Sequence, residues 1–429
     1  MVNDLCAELL KSYDDGNDGN GIYGERLANR LHEIAKIGLT KDNGSNRPGF
    51  SKGEKRAKDL VAGWMREAGL DVHTDGAGNV FGRLEGKHSN VPAILSGSHV
   101  DSVPNGGHFD GPLGVLAALE VAEAWRETGY HPNKPFEVVI FSDEEGSRFS
   151  GGLNGSEAMM GKGNLEEKKK FHDQNGWSFS EVLEDIDLSV DSYSNAKRNP
   201  TDIEMFIEVH IEQGKRLEKK GLPCGIVTGI AGPCWLELTF EGKAGHAGNT
   251  PMNDRHDALV AASEFIVEVN KLPATISDSA VATVGKQFVE PNGVNVIPGK
   301  VTLYVDIRDI HTETRDRLVN ETLKIATSIA KTYEVALDTQ EKTRVAPVPV
   351  KKTIQKDLER AFEGNNMECF KLPSGAGHDA MIVGTELPIA MLFVQSKDGI
   401  SHNPAEWSEL NDCVKAIQVL KTFIEDLQG

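Results

Sequence analysis

Six side chains in this sequence have the types and spacing to do metal chemistry: His99, Asp101, Asp110, the pair Glu144–Glu145 and His210. His99 ends the run Pro92-Ala93-Ile94-Leu95-Ser96-Gly97-Ser98-His99, whose short apolar part predicts a strand rather than a helix. Asp110 follows on a glycine-rich bend, and Pro112 suits the first turn of an apolar-faced helix running to about Trp125. The edge of an open α/β sheet where strands give way to helices is where ligands bind. An imidazole and a carboxylate there could hold a metal, with Asp101 near enough in sequence to orient His99. Taken alone, this stretch reads equally well as a turn with a solvated Asp and a structural His. Two further strand ends break the tie. Pro135–Phe141 is a buried-strand pattern that ends in Ser142-Asp143-Glu144-Glu145, where adjacent carboxylates could divide metal binding from proton transfer. Met205–Val209 ends in His210, followed by Glu212-Gln213-Gly214. Repetition at three strand ends argues against structural filler.

Periodicity predicts the elements that must hold these groups. A helical segment spans roughly 24–37. Ser51 and Glu54 have capping-box spacing before the apolar positions Ala57, Leu60, Val61, Trp64, Met65 and Ala68, and Gly69 is a C-terminal stop. Val72–Leu84 reads as a hairpin turning at Gly76–Asn79. The polar stretch 150–200, with its run Glu166-Glu167-Lys168-Lys169-Lys170, predicts an exposed helical insertion without chemistry. Strands are predicted within Ile226–Phe240, at Val281–Val289 and at Lys300–Ile307. Helices are predicted over much of Pro251–Lys271 and from Thr312 to Tyr333. That texture marks a small inserted α/β domain over 225–339, so 1–224 and 340–429 are the two parts of one larger domain. The chain then returns to its first texture, with the turn Ser374-Gly375-Ala376-Gly377-His378-Asp379, a buried strand at Ile389–Val394, the turn Gly399–Pro404 and a closing helix over Asn411–Leu427.

The 429 residues allow two domains on a prior of roughly 100–200 residues each. A net charge of −19 argues against nucleic acid or an anionic membrane as partner. No apolar run approaches the roughly 20 residues of a membrane span, and the first residues lack the basic start of a signal peptide. Five scattered cysteines form no CxxC pair, which fits a reducing, cytoplasmic setting.

The ordered set around His99, Asp110, Glu144–Glu145, His210 and His402 resembles the M20 family of two-metal amidohydrolases. More narrowly it is similar to the hydantoinase/carbamoylase branch, which includes N-carbamoyl-L-amino acid hydrolases, β-ureidopropionases and allantoate amidohydrolases. The matching segments are GSHVDSVPNGGHFDGPLG, FSDEEGSRF, EVHIEQG, GKAGHAGNTPM, NVIPGKVTLYVDIRD, SGAGHDA and GISHNPAEW, from about residue 45 onward. The acidic motif departs from many relatives in having Asp143 where they have Asn.

The resemblance implies an α/β protein of two domains: a mixed-sheet, phosphorylase/hydrolase-like catalytic domain carrying two metals, and an inserted lid that also makes a homodimer. Position by position, it implies His99, Asp110, Glu145, His210 and His402 as ligands of two divalent ions per subunit, with Asp110 bridging. His99 and His402 fall on one ion or are split between the two. Three imidazoles and two carboxylates suit zinc, manganese, cobalt or nickel rather than calcium. Glu144 is then the general base. His246 and Asn295 stabilise the oxyanion, Arg308 grips a substrate carboxylate, and Gln213 with the backbone of Gly375, Ala376 and Gly377 contacts substrate. His378 and Asp379 take a supporting role, and His108 is not a ligand. The implied reaction is hydrolysis of a linear C–N amide, foremost of an N-carbamoyl-L-amino acid. Allantoate or ureidoglycolate is the alternative, with a catalytically silent, metal-stabilised dimeric binding protein as the reading from another class.

Overall fold

In the computed structural model, which describes residues 4–149 and 151–429, the apolar runs become the strands of one large mixed sheet and one smaller antiparallel sheet. In chain order the strands are β1 (Asp71–Thr74), β2 (Val80–Leu84), β3 (Ala93–His99), β4 (Phe136–Phe141), β5 (Ile203–Ile211) and β6 (Cys224–Ile230). They continue with β7 (Gly232–Glu241), β8 (Val281–Glu290), β9 (Lys300–Asp309), β10 (Ala336–Arg344), β11 (Val348–Pro349), β12 (Lys371–Ser374) and β13 (Ile389–Val394).

The large sheet runs β1-β2-β4-β3-β5-β13-β6-β11, with β12 also paired to β6. Its centre is parallel: β3 pairs in parallel with β4 and β5, and β5 with β13. These central strands are buried almost throughout, as parallel strands covered on both faces must be. That is why they read as largely apolar stretches rather than strictly alternating ones, with polar exceptions such as Ser96, Ser98, Glu137 and Glu208. The helix Pro112–Thr128 packs on β3 and β5 and is buried from Pro112 to Trp125. It ends at Gly129, whose φ of 71° supplies the left-handed turn a helix stop requires. Because β3, β4 and β5 point the same way, His99, the Glu144–Glu145 turn and His210 arrive at the same sheet edge.

The chain divides into two compact units. One comprises the chain through Thr228 with Val350–Leu372 and His378–Gly429, and the other Gly229–Pro349 with Pro373–Gly377. The second unit is built on the antiparallel sheet β10-β7-β9-β8. Alternate residues Val301, Leu303, Val305 and Ile307 of β9 enter a core shared with the helices Ala258–Lys271 and Thr312–Thr332. Strict period-two alternation with one covered face is the pattern of a half-buried antiparallel strand.

Two local expectations change. Ser51 does cap the helix Lys52–Glu67, its hydroxyl accepting from the Glu54 N–H at 3.2 Å. The Glu54 carboxylate, however, accepts from the Phe50 and Asp143 amides and pairs with Lys58, so only half of the predicted box forms. The stretch 150–200 is not simply an exposed insertion. Among its described residues, short helices at Asn154–Met160, Phe179–Glu184 and Val190–Ser194 build a satellite core around Phe50, Phe149, Phe179 and Tyr193. Lys168, within the charged run, is buried with its ammonium on Asn154 and Glu157.

Candidate metal centre

The first unit brings the predicted donors together. His99 closes β3, His210 lies near the end of β5, and Glu144–Glu145 follow β4. Asp110 stands two residues before the Pro112 helix, and His402 sits in the turn before the last helix with φ at 54°. Gly111 separates Asp110 from that helix with φ at 83°, and a β-carbon there would strike the His99 ring. A glycine is therefore required for the close approach of this loop to the imidazole.

Two donor groups share Asp110: His99, Asp110 and His210, and Asp110, Glu145 and His402, each with ligand atoms mutually within 4.8 Å. Asp110 Oδ1 lies 3.1 Å from His210 Nε2 and 3.6 Å from His99 Nε2. Its other oxygen lies 3.5 Å from His402 Nε2, which is 3.2 Å from Glu145 Oε2. The Glu144 carboxylate faces His99 Nε2 at 3.7 Å. His99 Nε2 and Glu145 Oε1 are buried without a hydrogen-bond partner, a costly state for polar atoms unless a cation occupies the space they face. Three imidazoles and two carboxylates converging on orphaned atoms fit a pair of divalent transition-metal or zinc ions.

The local field points the same way. Burial opposes charge on both His99 and Asp110. Even so, Glu144, Asp101 and Asp110 push the His99 imidazole well above its usual range, and His210 and His99 hold the Asp110 carboxyl well below its own. The excess of negative charge calls for cations. Burial first, then Glu145, Asp379 and Asp101, push the Glu144 carboxyl well above the usual range against the pull of His99.

Asp101 does what its spacing suggested and more. Its Oδ1 lies 3.3 Å from His99 Nδ1, and its two oxygens accept from the amides of Glu144 and Glu145 at 3.1 and 3.2 Å. One buried carboxylate thus fixes an imidazole and the whole acidic turn. Gln213, with φ at 54°, turns its amide onto Asp110 Oδ2 at 2.7 Å. His378 packs its ring 4.5 Å from that of His210. Both nitrogens of His108 are engaged, with the Ser45 hydroxyl and the Asn43 carbonyl, which leaves none for a ligand role.

The second unit holds the remaining predicted residues. His246 and Val296 pair across a two-stranded ladder, and the Ala247 amide donates to the Asn295 carbonyl at 3.0 Å, so His246 and Asn295 are neighbours on an exposed loop pair. Arg308 is bidentate to Asp306 and donates to the Gly375 carbonyl at 2.7 Å, bringing it to the Gly375-Ala376-Gly377 turn.

Residues 95–426 match the model of peptidase family M20/M25/M40. The chain belongs to this family. Within M20 it falls in the hydantoinase/carbamoylase branch. It is 45% identical to the N-carbamoyl-L-amino acid amidohydrolase of Geobacillus stearothermophilus, over 93% of this chain and 97% of that protein. It is 36% identical to the allantoate amidohydrolase of Bacillus subtilis, over 94% and 97%. A hydantoinase/carbamoylase-family amidase from Burkholderia multivorans has the same fold, with a TM-score of 0.88 at 34% identity over 95% of this chain and 98% of that one. This M20 protein is accordingly a carbamoylase-family hydrolase of C–N bonds other than peptide bonds. Among the described residues no helix is long and apolar enough to cross a membrane.

The M20 motifs did not expose every member of the site. Glu208, on the same face of β5 as His210, accepts from the Ser98 hydroxyl at 2.8 Å and from the Ala380 amide at 3.0 Å. Ser401 and Glu406 contact Asp110 from the far end of the chain. All three lie inside the matched segments, Glu208 in EVHIEQG and Ser401 and Glu406 in GISHNPAEW, but neither residue type nor spacing there gave them a role.

Proposed function

We propose that this protein hydrolyses an N-carbamoyl-L-amino acid to the L-amino acid, ammonia and carbon dioxide. The observation that carries this choice is the 45% identity to a relative named for that reaction, against 36% to one named for allantoate. His99, Asp110 and His210 are assigned to one ion, and Asp110, Glu145 and His402 to the other. Two divalent ions held there would polarise the substrate carbonyl and bring the pKa of water from about 15.7 towards about 7.

The residues of the chain do the rest. Glu144, beside the donors but in neither set, takes the proton of the attacking water and returns it to the amino-acid nitrogen as the C–N bond breaks. The released carbamate falls apart to ammonia and carbon dioxide. Asp101 holds the Glu144 and Glu145 amides, so base and ligand keep a fixed relation through the cycle. Arg308, pre-oriented by Asp306, is assigned to the substrate carboxylate, and His246 with Asn295 to the developing oxyanion. Gln213 and the Gly375–Gly377 backbone are assigned to substrate contact. A homodimer formed through the inserted unit belongs to the same reading.

The test is product analysis with protein stripped of metal and re-supplied with manganese, cobalt, nickel or zinc. The panel holds N-carbamoyl-L- and D-amino acids, N-carbamoyl-β-alanine, allantoate, ureidoglycolate and a dipeptide. Metal-dependent release of an L-amino acid is the expected result. Turnover of allantoate or ureidoglycolate alone would reassign the substrate, and silence across the panel with metal bound would remove the enzymatic reading.

A further inference from the structure

We propose that Glu406 is a positioning residue for the metal donors, tying the loop of Asp110 to the turn of His402 so that the shared carboxylate and the last imidazole are presented together. The inference rests on the donor assignment above. Glu406 itself belongs to neither donor set.

The geometry is direct. Glu406 is 3% exposed, and its Oε1 accepts from two consecutive amides, Phe109 at 2.9 Å and Asp110 at 3.1 Å. Its Oε2 accepts from the Ser401 hydroxyl at 2.9 Å, and the same hydroxyl lies 2.6 Å from Asp110 Oδ2. One side chain therefore holds the backbone of the shared ligand and, through Ser401, the side-chain oxygen that faces His402. The turn is closed locally by the Glu406 amide on the Asn403 carbonyl at 3.0 Å, which places His402 and Glu406 on the same tight bend. The Phe109 and Trp407 rings meet edge to face at 5.7 Å and fix the approach of the two segments. Gly107 completes the fit, because a β-carbon at that position would run into the Glu406 carboxylate.

Partners that orient ligands typically contribute ~10–100-fold in metal affinity when removed. Glu406 differs from an ordinary partner in acting on a donor common to both sets. Its loss would displace Asp110 relative to His402 and weaken the ion bound by Asp110, Glu145 and His402 first.

The experiment is Mn²⁺ titration by calorimetry into metal-free full-length protein, with apo melting and circular dichroism as fold controls. The variants are Glu406→Ala, Glu406→Gln, Ser401→Ala and Asp110→Asn. Glutamine keeps an acceptor for the two amides, and its NH₂ can donate to the Ser401 oxygen while the hydroxyl donates to Asp110 Oδ2, so Glu406→Gln is expected to bind Mn²⁺ as the unmodified protein does. Glu406→Ala is expected to lose ~10–100-fold in affinity for the weaker ion. Ser401→Ala, which leaves both amide bonds in place, is expected to lose affinity with no change in apo melting, and it carries the test if Glu406→Ala does not fold. Native Mn²⁺ binding by folded Glu406→Ala, or by Ser401→Ala where Glu406→Ala does not fold, would overturn the inference, and with Asp110→Asn impaired the donor assignment would stand. Native binding by Asp110→Asn would remove the donor assignment itself, and the inference with it.

Discussion

Replacing Phe179 by alanine should loosen the Glu144–Glu145 turn from a distance. Phe179 is 1% exposed and meets Phe50, Phe149 and Tyr193 edge to face, with ring centroids at 5.7, 5.5 and 5.4 Å. It is the hub of the satellite core. Tyr193 passes that order on, its hydroxyl donating to the Asn154 carbonyl at 2.8 Å. The Leu153, Asn154 and Gly155 amides then donate to the carbonyls of Glu144, Asp143 and Ser142 at 2.9, 3.2 and 2.8 Å. Truncating a buried Phe costs about 3–5 kcal/mol. Each of its aromatic pairs is worth about 0.5–1.5 kcal/mol beyond area, which puts this site at the upper end. At about 1.4 kcal/mol per factor of ten, the local opening equilibrium should rise roughly a hundredfold to several thousandfold. Hydrogen exchange followed by mass spectrometry on the peptide 142–155 reads this directly. That peptide should exchange faster by such a factor while β7 and β9 of the inserted unit are unchanged, kcat should fall, and Phe179→Leu should recover most of both. Unchanged exchange at 142–155 in a folded but destabilised variant would refute the link between this core and Glu144.

Glu144→Gln should lower kcat by ~10²–10⁴-fold while keeping metal content, measured by elemental analysis; loss of metal instead would make Glu144 a ligand. Gly111→Ala places a β-carbon against the His99 ring at a φ of 83°, so it should fold less stably and retain less metal, and native metal content would contradict the packing described. Stripping metal with a chelator should lower the melting temperature in a manner reversed by added ion, with a stabilisation of about 4 kcal/mol when free metal is a thousandfold above Kd. Cys6, Cys224, Cys234 and Cys413 are buried and Cys369 is half-buried, its thiol also pushed up by burial, so iodoacetamide at pH 8 should label Cys369 first and slowly, counted by intact mass.

What could be read in sequence was set by how local its physical cause is. His99 and Glu144–Glu145 were legible because a buried parallel strand starts or runs as an apolar stretch, and imidazole or paired carboxylates where it ends stand out. The inserted sheet was legible for the complementary reason, since Val301, Leu303, Val305 and Ile307 alternate with polar neighbours. Glu54 shows where local reasoning fails within four residues. The capping-box spacing is present, but a carboxylate buried beside Lys58 gains more from that ammonium and the Asp143 amide than from its own helix terminus. Lys168 fails similarly, because a run of charges reads as solvated until the neighbouring Asn154 and Glu157 are known to close over one of them. Glu406 and Ser401 lie in the matched segment GISHNPAEW, yet what they contact was out of reach. Their partners lie nearly 300 residues away, at Phe109 and Asp110, and no periodicity encodes a contact made only when β3 and β13 lie in one sheet. The donors themselves are local features of strand ends, whereas the groups that hold the donors in place are products of the fold. Positioning residues should therefore be sought among buried carboxylates that accept from the amides of a ligand's own loop, a criterion that selects both Asp101 and Glu406 here.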